Sequence, residues 1–338
     1  MRSSYPRPRS RLRAHPLLIA LVLACGCSSE EAPVAGEFKA AASATGAGAS
    51  VPGASARVGP LAAGGNAAPP ATAGAATTDP PKADQSRLVL KGKPTQGALV
   101  FATITGKVAK IGFPGHRAAV NADGSLPIAF GLHAPKSETM EIHFEDGSVL
   151  DHVFAVEPRT FQTEEINNIP KSAMELDPKT KAAHLVIEGR IEALRMKSGS
   201  KICYEDGFTW PVIGRISSPY GDPRVMEGID GGVHMGIDIG VPVGTPVKAP
   251  ACGTVVYAEA GDPVNGTTLV LDHGRGVTST FLHLSDFKTK VGDEVKQGDV
   301  LASSGRTGRA NGPHIHWGIN YFEVRLDPEL LVPPMPAK

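Results

Sequence analysis

His234-Met-Gly-Ile-Asp238, Phe281-Leu-His283-Leu284 and His314-Ile-His316-Trp317 follow one another in the C-terminal part of the chain. Each alternates as a β-strand does, with successive side chains on opposite faces. In the first, His234, Gly236 and Asp238 share one face, while Met235, Ile237 and Ile239 share the other. In the last, His314 and His316 lie opposite Ile315 and Trp317. Apolar residues can therefore fill a core while imidazoles and a carboxylate converge on one spot, as a metal site built on a rigid sheet requires.

Three protein ligands and one open position make a catalytic zinc site. His234, Asp238 and His316 supply two imidazole nitrogens and a carboxylate oxygen for one Zn2+ per chain. The fourth position is left for water, whose pKa zinc lowers to about 7. His314 sits two residues from His316 on the same face, beside the metal without needing to bind it, and His283 comes from another strand. These two are the expected catalytic pair, taking a proton from the attacking water and stabilising the oxyanion. A lone His-x-x-x-Asp or His-x-His is weak, because core and surface histidines match it too. Both in one all-β segment, with a third histidine between, are far more specific. The helical His-Glu-x-x-His signature and the Gly-x-Ser-x-Gly elbow are absent from the chain.

Outward from this segment the chain reads as mainly β. Between Phe208 and Leu331, Gly253–Ala258, Thr267–Asp272, Gly276–His283 and Val300–Ala302 alternate as half-buried strands, and Gly261–Gly266 is a turn cluster. Residues 201–338 are thus assigned to the metal-binding unit. Upstream, residues 87–165 carry short alternating runs broken by Asn121-Ala-Asp-Gly124 and Glu145-Asp-Gly147, the pattern of a small antiparallel sandwich. His116, His133, His143 and His152 have no ligand spacing there and are read as surface or packing residues. Residues 166–200 form a linking region with one helix, opened by Asp177 at the N-cap and Pro178 at the first position. Ala183, Ile187, Ile191 and Leu194 mark its apolar face, and it ends near Ser198-Gly199.

The N-terminus has the form of an export signal. Five arginines between Arg2 and Arg13 precede the short apolar run Leu17–Leu23, far less than the roughly 20 residues that span a bilayer. Leu23-Ala-Cys25-Gly-Cys27 resembles a lipobox, so residues 1–27 are expected to be a lipoprotein signal. Cys25 and Cys27 are both candidates for the acylated residue, with Cys25 preferred. An ordinary cleaved signal peptide is the alternative. Residues 28–86 are dominated by Ala, Gly, Pro, Ser and Thr and read as a disordered tether. The resulting expectation is a lipid-anchored protein of the cell envelope, on the outer membrane and facing the periplasm of a Gram-negative bacterium. In an exported chain Cys203 and Cys252 either pair as a disulfide or remain two separate buried thiols. A formal net charge of +0 and 5% aromatic residues, with no interleaved basic and aromatic patch, argue against nucleic acid as a partner.

Seven motifs in order resemble the lysostaphin-type, or LytM-type, zinc metallopeptidases. They are Pro211–Gly221, His234–Gly240, Gly244–Gly253, Asp272-His-Gly274, Phe281–Ser285, Val291–Gly298 and Gly305–Trp317. The resemblance implies a C-terminal all-β peptidase domain (the duplicated hybrid motif), zinc on His234, Asp238 and His316, and catalytic roles for His283 and His314. It implies peptidoglycan as the partner and endopeptidase action on its stem peptides or cross-links. Phe161–Pro170 and the sandwich before it are more weakly similar to the N-terminal region of some Gram-negative members. Phe281 stands where many members have tyrosine, and Cys252 replaces a residue that is commonly polar. Asp272-His273 reads as a structural pair at a strand end, and Arg224 as either a substrate contact or a packing residue. A second reading is a non-catalytic relative that binds the wall and activates an amidase. A third, a biotinyl or lipoyl carrier suggested by Val247–Val255 and Gly292–Val300, lacks a modifiable lysine at a hairpin tip.

Overall fold

The computed structural model describes residues 79–118, 120–166 and 176–336. The lipobox and most of the tether lie outside the described residues. The fold is mostly β, as the alternation requires, with one α-helix among the described residues.

The N-terminal part is built from β1 (Leu88–Lys91), β2 (Leu99–Ile104), β3 (Val108–Gly112), β4 (Ser125–Ala129), β5 (Ser137–Phe144) and β6 (Val149–Ala155). They form two three-stranded antiparallel sheets, ordered β1-β2-β4 and β3-β5-β6. Period-two alternation gives the β3-β5-β6 sheet one apolar face: in β5, Met140, Ile142 and Phe144 are buried while Thr139 and Glu141 are exposed. These side chains meet Val100, Leu126, Phe130, Leu150 and Phe154 in a single core. The four histidines of this part stay apart. His116 stacks on Phe113 and contacts Glu138, His143 pairs with Glu141, His152 hydrogen-bonds Gln85, and His133 is exposed.

A short strand, β7 (Glu164–Ile166), leads towards helix α1 (Pro178–Arg195). Asp177 caps α1, its carboxylate accepting from the Lys179 and Thr180 amides. Ile191 is buried against Tyr257 and Val270, with Ile187 and Leu194 beside it, but Ala183 is exposed. The helix stops at Arg195, short of Ser198-Gly199, because Ser198 Oγ and the Gly199 amide turn away to donate to the Asp272 carboxylate.

The remaining strands are β8 (Arg215–Ser218), β9 (Pro223–Met226), β10 (Ile229–Val233), β11 (Ile237–Gly240), β12 (Pro246–Lys248), β13 (Gly253–Asp262) and β14 (Gly266–Gly274). They continue with β15 (Val277–Leu284), β16 (Asp286–Phe287), β17 (Glu294–Val295), β18 (Val300–Ser303), β19 (His314–Tyr321) and β20 (Val324–Leu326). An eight-stranded sheet runs β17-β13-β14-β15-β19-β11-β8, with β20 also paired to β19. One face packs Ile237, Ile239, Leu269, Leu271, Phe281, Ile315, Trp317 and Ile319 into the larger core. The other face carries the polar residues of β11, β15 and β19, and α1 lies across part of it through Ile191 and an Arg195–Thr280 hydrogen bond. Cys203 and Cys252 form a disulfide that ties the segment after α1 to the start of β13, which closes the alternative of two free thiols.

Candidate metal centre

Antiparallel pairing sets Asp238 on β11 directly opposite His316 on β19. Since Ile237, Ile239, Ile315 and Trp317 are drawn into the core, Asp238 and His316 must face the other way. His234, just before β11, completes the group. Its Nε2 lies 3.1 Å from Asp238 Oδ1 and 2.9 Å from His316 Nδ1, and His316 Nδ1 lies 2.9 Å from the same carboxylate oxygen. Three donor atoms thus form a triangle close to the roughly 3.3 Å edge that tetrahedral zinc with bonds of about 2.0–2.1 Å imposes. All three residues are nearly sealed, at 4%, 8% and 9% exposure for His234, Asp238 and His316.

The hydrogen bonds around this triangle favour a cation at its centre. His234 Nδ1 lies 2.9 Å from the Pro219 carbonyl, which can only accept, so the proton is on Nδ1 and the Nε2 lone pair points inward. Burial pushes the His316 imidazole down to about 4, leaving it neutral. Burial would raise the Asp238 carboxyl, but the contacts from His234 and His316 outweigh it and hold the group well below the usual carboxylate range. His234 Nε2, His316 Nδ1 and Asp238 Oδ1 therefore converge on one point, and this donor set fits a divalent metal. Gly236 makes room for the His316 ring: a Cβ there would stand 2.5 Å from its Nε2.

His283 and His314 stand beside the triangle, ring centroids 4.8 Å apart. His283 Nδ1 is 2.8 Å from the Thr307 carbonyl and His314 Nδ1 is 2.8 Å from the Gly312 carbonyl. Each ring is thus fixed as the Nδ1–H tautomer with a free Nε2. His314 Nε2 lies 4.0 Å from Asp238 Oδ1. Burial, and then the neighbouring His314, lower His283 to about 4, so its Nε2 is unprotonated near neutrality. Strict alternation from Phe281 would turn His283 into the core. The pairing of β14 with β15 shifts between Thr267/Leu269 and Leu284/Phe281, and His283 has φ +62°. This bulge, with one residue in the left-handed region, re-aims the imidazole towards His314 while Phe281 and Leu284 stay in the core.

The five residues expected from the sequence are therefore together, and three further groups join them. Arg224 on β9 donates to Asp238 Oδ2 at 2.7 Å, to Ser218 Oγ at 2.7 Å and to Glu164 Oε2 at 3.0 Å. In this arrangement it orients the Asp238 carboxylate. Glu164 reaches the group because β7 pairs with β9 in parallel, and Ser218 Oγ in turn donates to Glu164 at 2.7 Å. Such outer partners fix the ligands' direction. Asp272-His273 plays the expected structural part, with Asp272 accepting from the Gly274 amide and buried His273 bridging the Cys252 carbonyl and Ser279 Oγ.

Residues 232–328 match Peptidase family M23. An uncharacterized metalloprotease of Haemophilus influenzae is 37% identical over 154 residues, which cover 38% of this chain and 32% of that protein. The peptidoglycan DD-endopeptidase ShyA of Vibrio cholerae is 39% identical over 63 residues, covering 19% of this chain and 15% of that protein. The match thus spans about a third or less of these relatives' own length. A crystal structure assigned to peptidase M23 from Pseudomonas aeruginosa superposes with a TM-score of 0.54 at 26% identity, over 71% of this chain and 95% of that one. The fold likeness so reaches well beyond residues 232–328. The C-terminal region of this chain is a Peptidase family M23 domain of the LytM and lysostaphin type.

Proposed function

We propose that the protein is a zinc-dependent endopeptidase that hydrolyses peptide bonds in the stem peptides or cross-links of peptidoglycan. The observation that carries this reading is the donor triangle of His234, Asp238 and His316 with the open Nε2 atoms of His283 and His314 beside it. Zinc held by that triangle would polarise the scissile carbonyl and acidify a water molecule. Arg224 keeps the Asp238 carboxylate turned into the triangle, and the Pro219 carbonyl keeps the His234 lone pair turned the same way. His283 and His314, both anchored through Nδ1, take a proton at Nε2 as water attacks and return one to the leaving amine. Protonated, either imidazole also stabilises the developing negative charge.

The peptidoglycan substrate is supported by the activity that the name of the Vibrio relative states. The lipobox and tether of residues 1–86 support an anchored enzyme of the cell envelope. A wall-binding regulator would need neither catalytic imidazole, and this chain keeps both. Purified protein is expected to hold one zinc per chain and to release muropeptide fragments from sacculi, with loss of both in His316→Ala. Full zinc occupancy without any released fragment would select the regulator instead.

A further inference from the structure

Beside the metal centre, a cavity of about 220 Å3 opens between α1 and the polar face of the sheet. His316 and Gly318 lie at one end, and Arg195, Thr280, Asn320 and Arg325 line the rest. On α1, His184, Glu188, Ile191 and Arg195 recur at helical spacing, so the row facing the sheet is polar rather than only apolar. On β19, His316, Gly318 and Asn320 share one face.

Two residues lining this cavity have buried polar atoms without a hydrogen-bond partner. Arg195 is 4% exposed and forms no ion pair among the described residues; its Nη2 donates to Thr280 Oγ1 at 3.0 Å, and its Nε has no acceptor. Asn320 is 1% exposed, and neither its amide nitrogen nor its oxygen is hydrogen-bonded. Burial lowers the Arg195 guanidinium to about 10, as expected of a desolvated cation with no anion in contact. The acid facing the cavity, Glu188, is engaged elsewhere: it accepts from Asn265 at 2.6 Å and lies 3.6 Å from Arg325. His184 is paired with Asp262. Two cations against one carboxylate leave room for one more negative charge.

We infer that this cavity is a substrate subsite that holds a free carboxylate of the peptide being cleaved, through Arg195 and the Asn320 amide. The inference rests on the endopeptidase reading and names the chemistry that reading leaves open. Buried polar groups are rarely left unpaired, and Arg195 from the helix and Asn320 from the sheet line the same cavity, so a carboxylate there has donors on both sides. The Asn320 oxygen is left for a peptide N–H. Asn320 is four residues from His316 along β19, roughly 13 Å at about 3.3 Å per residue. Three or four extended residues span that distance, so the carboxylate belongs to a residue within that reach of the scissile bond.

The test uses the full chain, zinc-loaded and carrying His283→Ala so that ligand is not consumed. An N-acetylated acidic tetrapeptide and its C-terminal amide are titrated calorimetrically. The acid is expected to bind about tenfold tighter than the amide, the scale of one charge-assisted hydrogen-bonded pair. Adding Arg195→Gln or Asn320→Leu should bring the ratio close to one. Two variants are used so that a failure of one to fold leaves the other to report. Equal affinity for acid and amide in the parent, or a preference that survives both substitutions, overturns the subsite. Cleavage of the same peptides by the unaltered chain is measured alongside. Cleavage without acid preference overturns the subsite and leaves the endopeptidase standing; acid preference without cleavage does the reverse.

Discussion

The sandwich of β1–β6 and the eight-stranded sheet use the same grammar of short antiparallel strands, yet they spend burial differently. In the sandwich β5 alternates, burying Met140, Ile142 and Phe144, while the β1-β2-β4 sheet sends Leu126 and Ile128 into the sandwich core and Leu99 and Ala129 into the larger one; His116 and His143 contact nearby acids, His152 bonds to Gln85 and His133 is exposed. In the large sheet every residue of β14 and β19 is buried, polar ones included: Thr268 and His273 are at 0% and Asn320 at 1%. Histidine is common to both regions. What distinguishes the site is polar surface taken out of water on a rigid sheet and not fully satisfied there, a state that binding or chemistry can exploit.

The sharpest way to break this contrast is to remove histidines from each region. His314→Ala should lower muropeptide cleavage about 10²–10⁴-fold with zinc still bound, as expected for loss of a general base. His143→Ala in the sandwich should leave the rate unchanged. His283 adds a second readout, because its left-handed backbone disfavours any Cβ. His283→Gly and His283→Ala should be equally inactive, but the glycine variant should be more stable by about 1 kcal/mol in urea unfolding. If His283→Ala proves the more stable, the bulge is not strained as described.

Glycine separates the regions in the same way. Gly236→Ala drives a Cβ to 2.5 Å from His316 Nε2 and 2.8 Å from the Trp317 carbonyl, so zinc should be lost and cleavage with it. Gly112→Ala, on a sandwich strand, meets nothing closer than 3.7 Å and should move stability by less than about 1 kcal/mol. A smaller effect is expected at the outer partner: Arg224→Ala frees the Asp238 carboxylate and should weaken zinc about 10–100-fold in a competition titration. Unchanged affinity would mean that β11 and β19 alone orient the ligand.

The ligand triangle was legible because two period-two patterns, His-x-x-x-Asp and His-x-His, fall on strands whose alternate residues are plainly apolar. The cap of α1 was legible because Asp177-Pro178 is a local signal. His283 was singled out as the histidine between the two patterns, but alternation alone would have buried it beside Phe281; a bulge depends on cross-strand register, which no single strand encodes. Arg224 stood out in the sequence, but its link to Ser218 and Glu164 was hidden for a similar reason. Glu164 lies 60 residues from Arg224 in sequence, and only the β7–β9 pairing brings them together. The polar row of α1 was concealed by its apolar one: Ile187, Ile191 and Leu194 explain how the helix packs, and leave Arg195 looking like surface.

The smallest effect concerns His273, which is as buried as any site histidine but has no part in the chemistry. Burial lowers it to about 4, while in the unfolded chain it titrates near 6.5. Below pH 6.5 the unfolded state therefore takes up a proton that the folded state refuses, and stability falls as pH drops towards 4. Between pH 7.5 and 5.5 this amounts to about 1 kcal/mol. His283 and His316 are lowered in the same direction, so the comparison is made with zinc bound, which holds His316 and makes the His273 contribution separable. His273→Gln can still bond to the Cys252 carbonyl and has no proton to gain. Its unfolding midpoint should be lower than that of the parent at pH 7.5, and the gap should narrow by about 1 kcal/mol at pH 5.5. A constant gap would mean that His273 takes up its proton in the fold as readily as in the unfolded chain, and that complete burial in this sheet does not by itself keep an imidazole neutral.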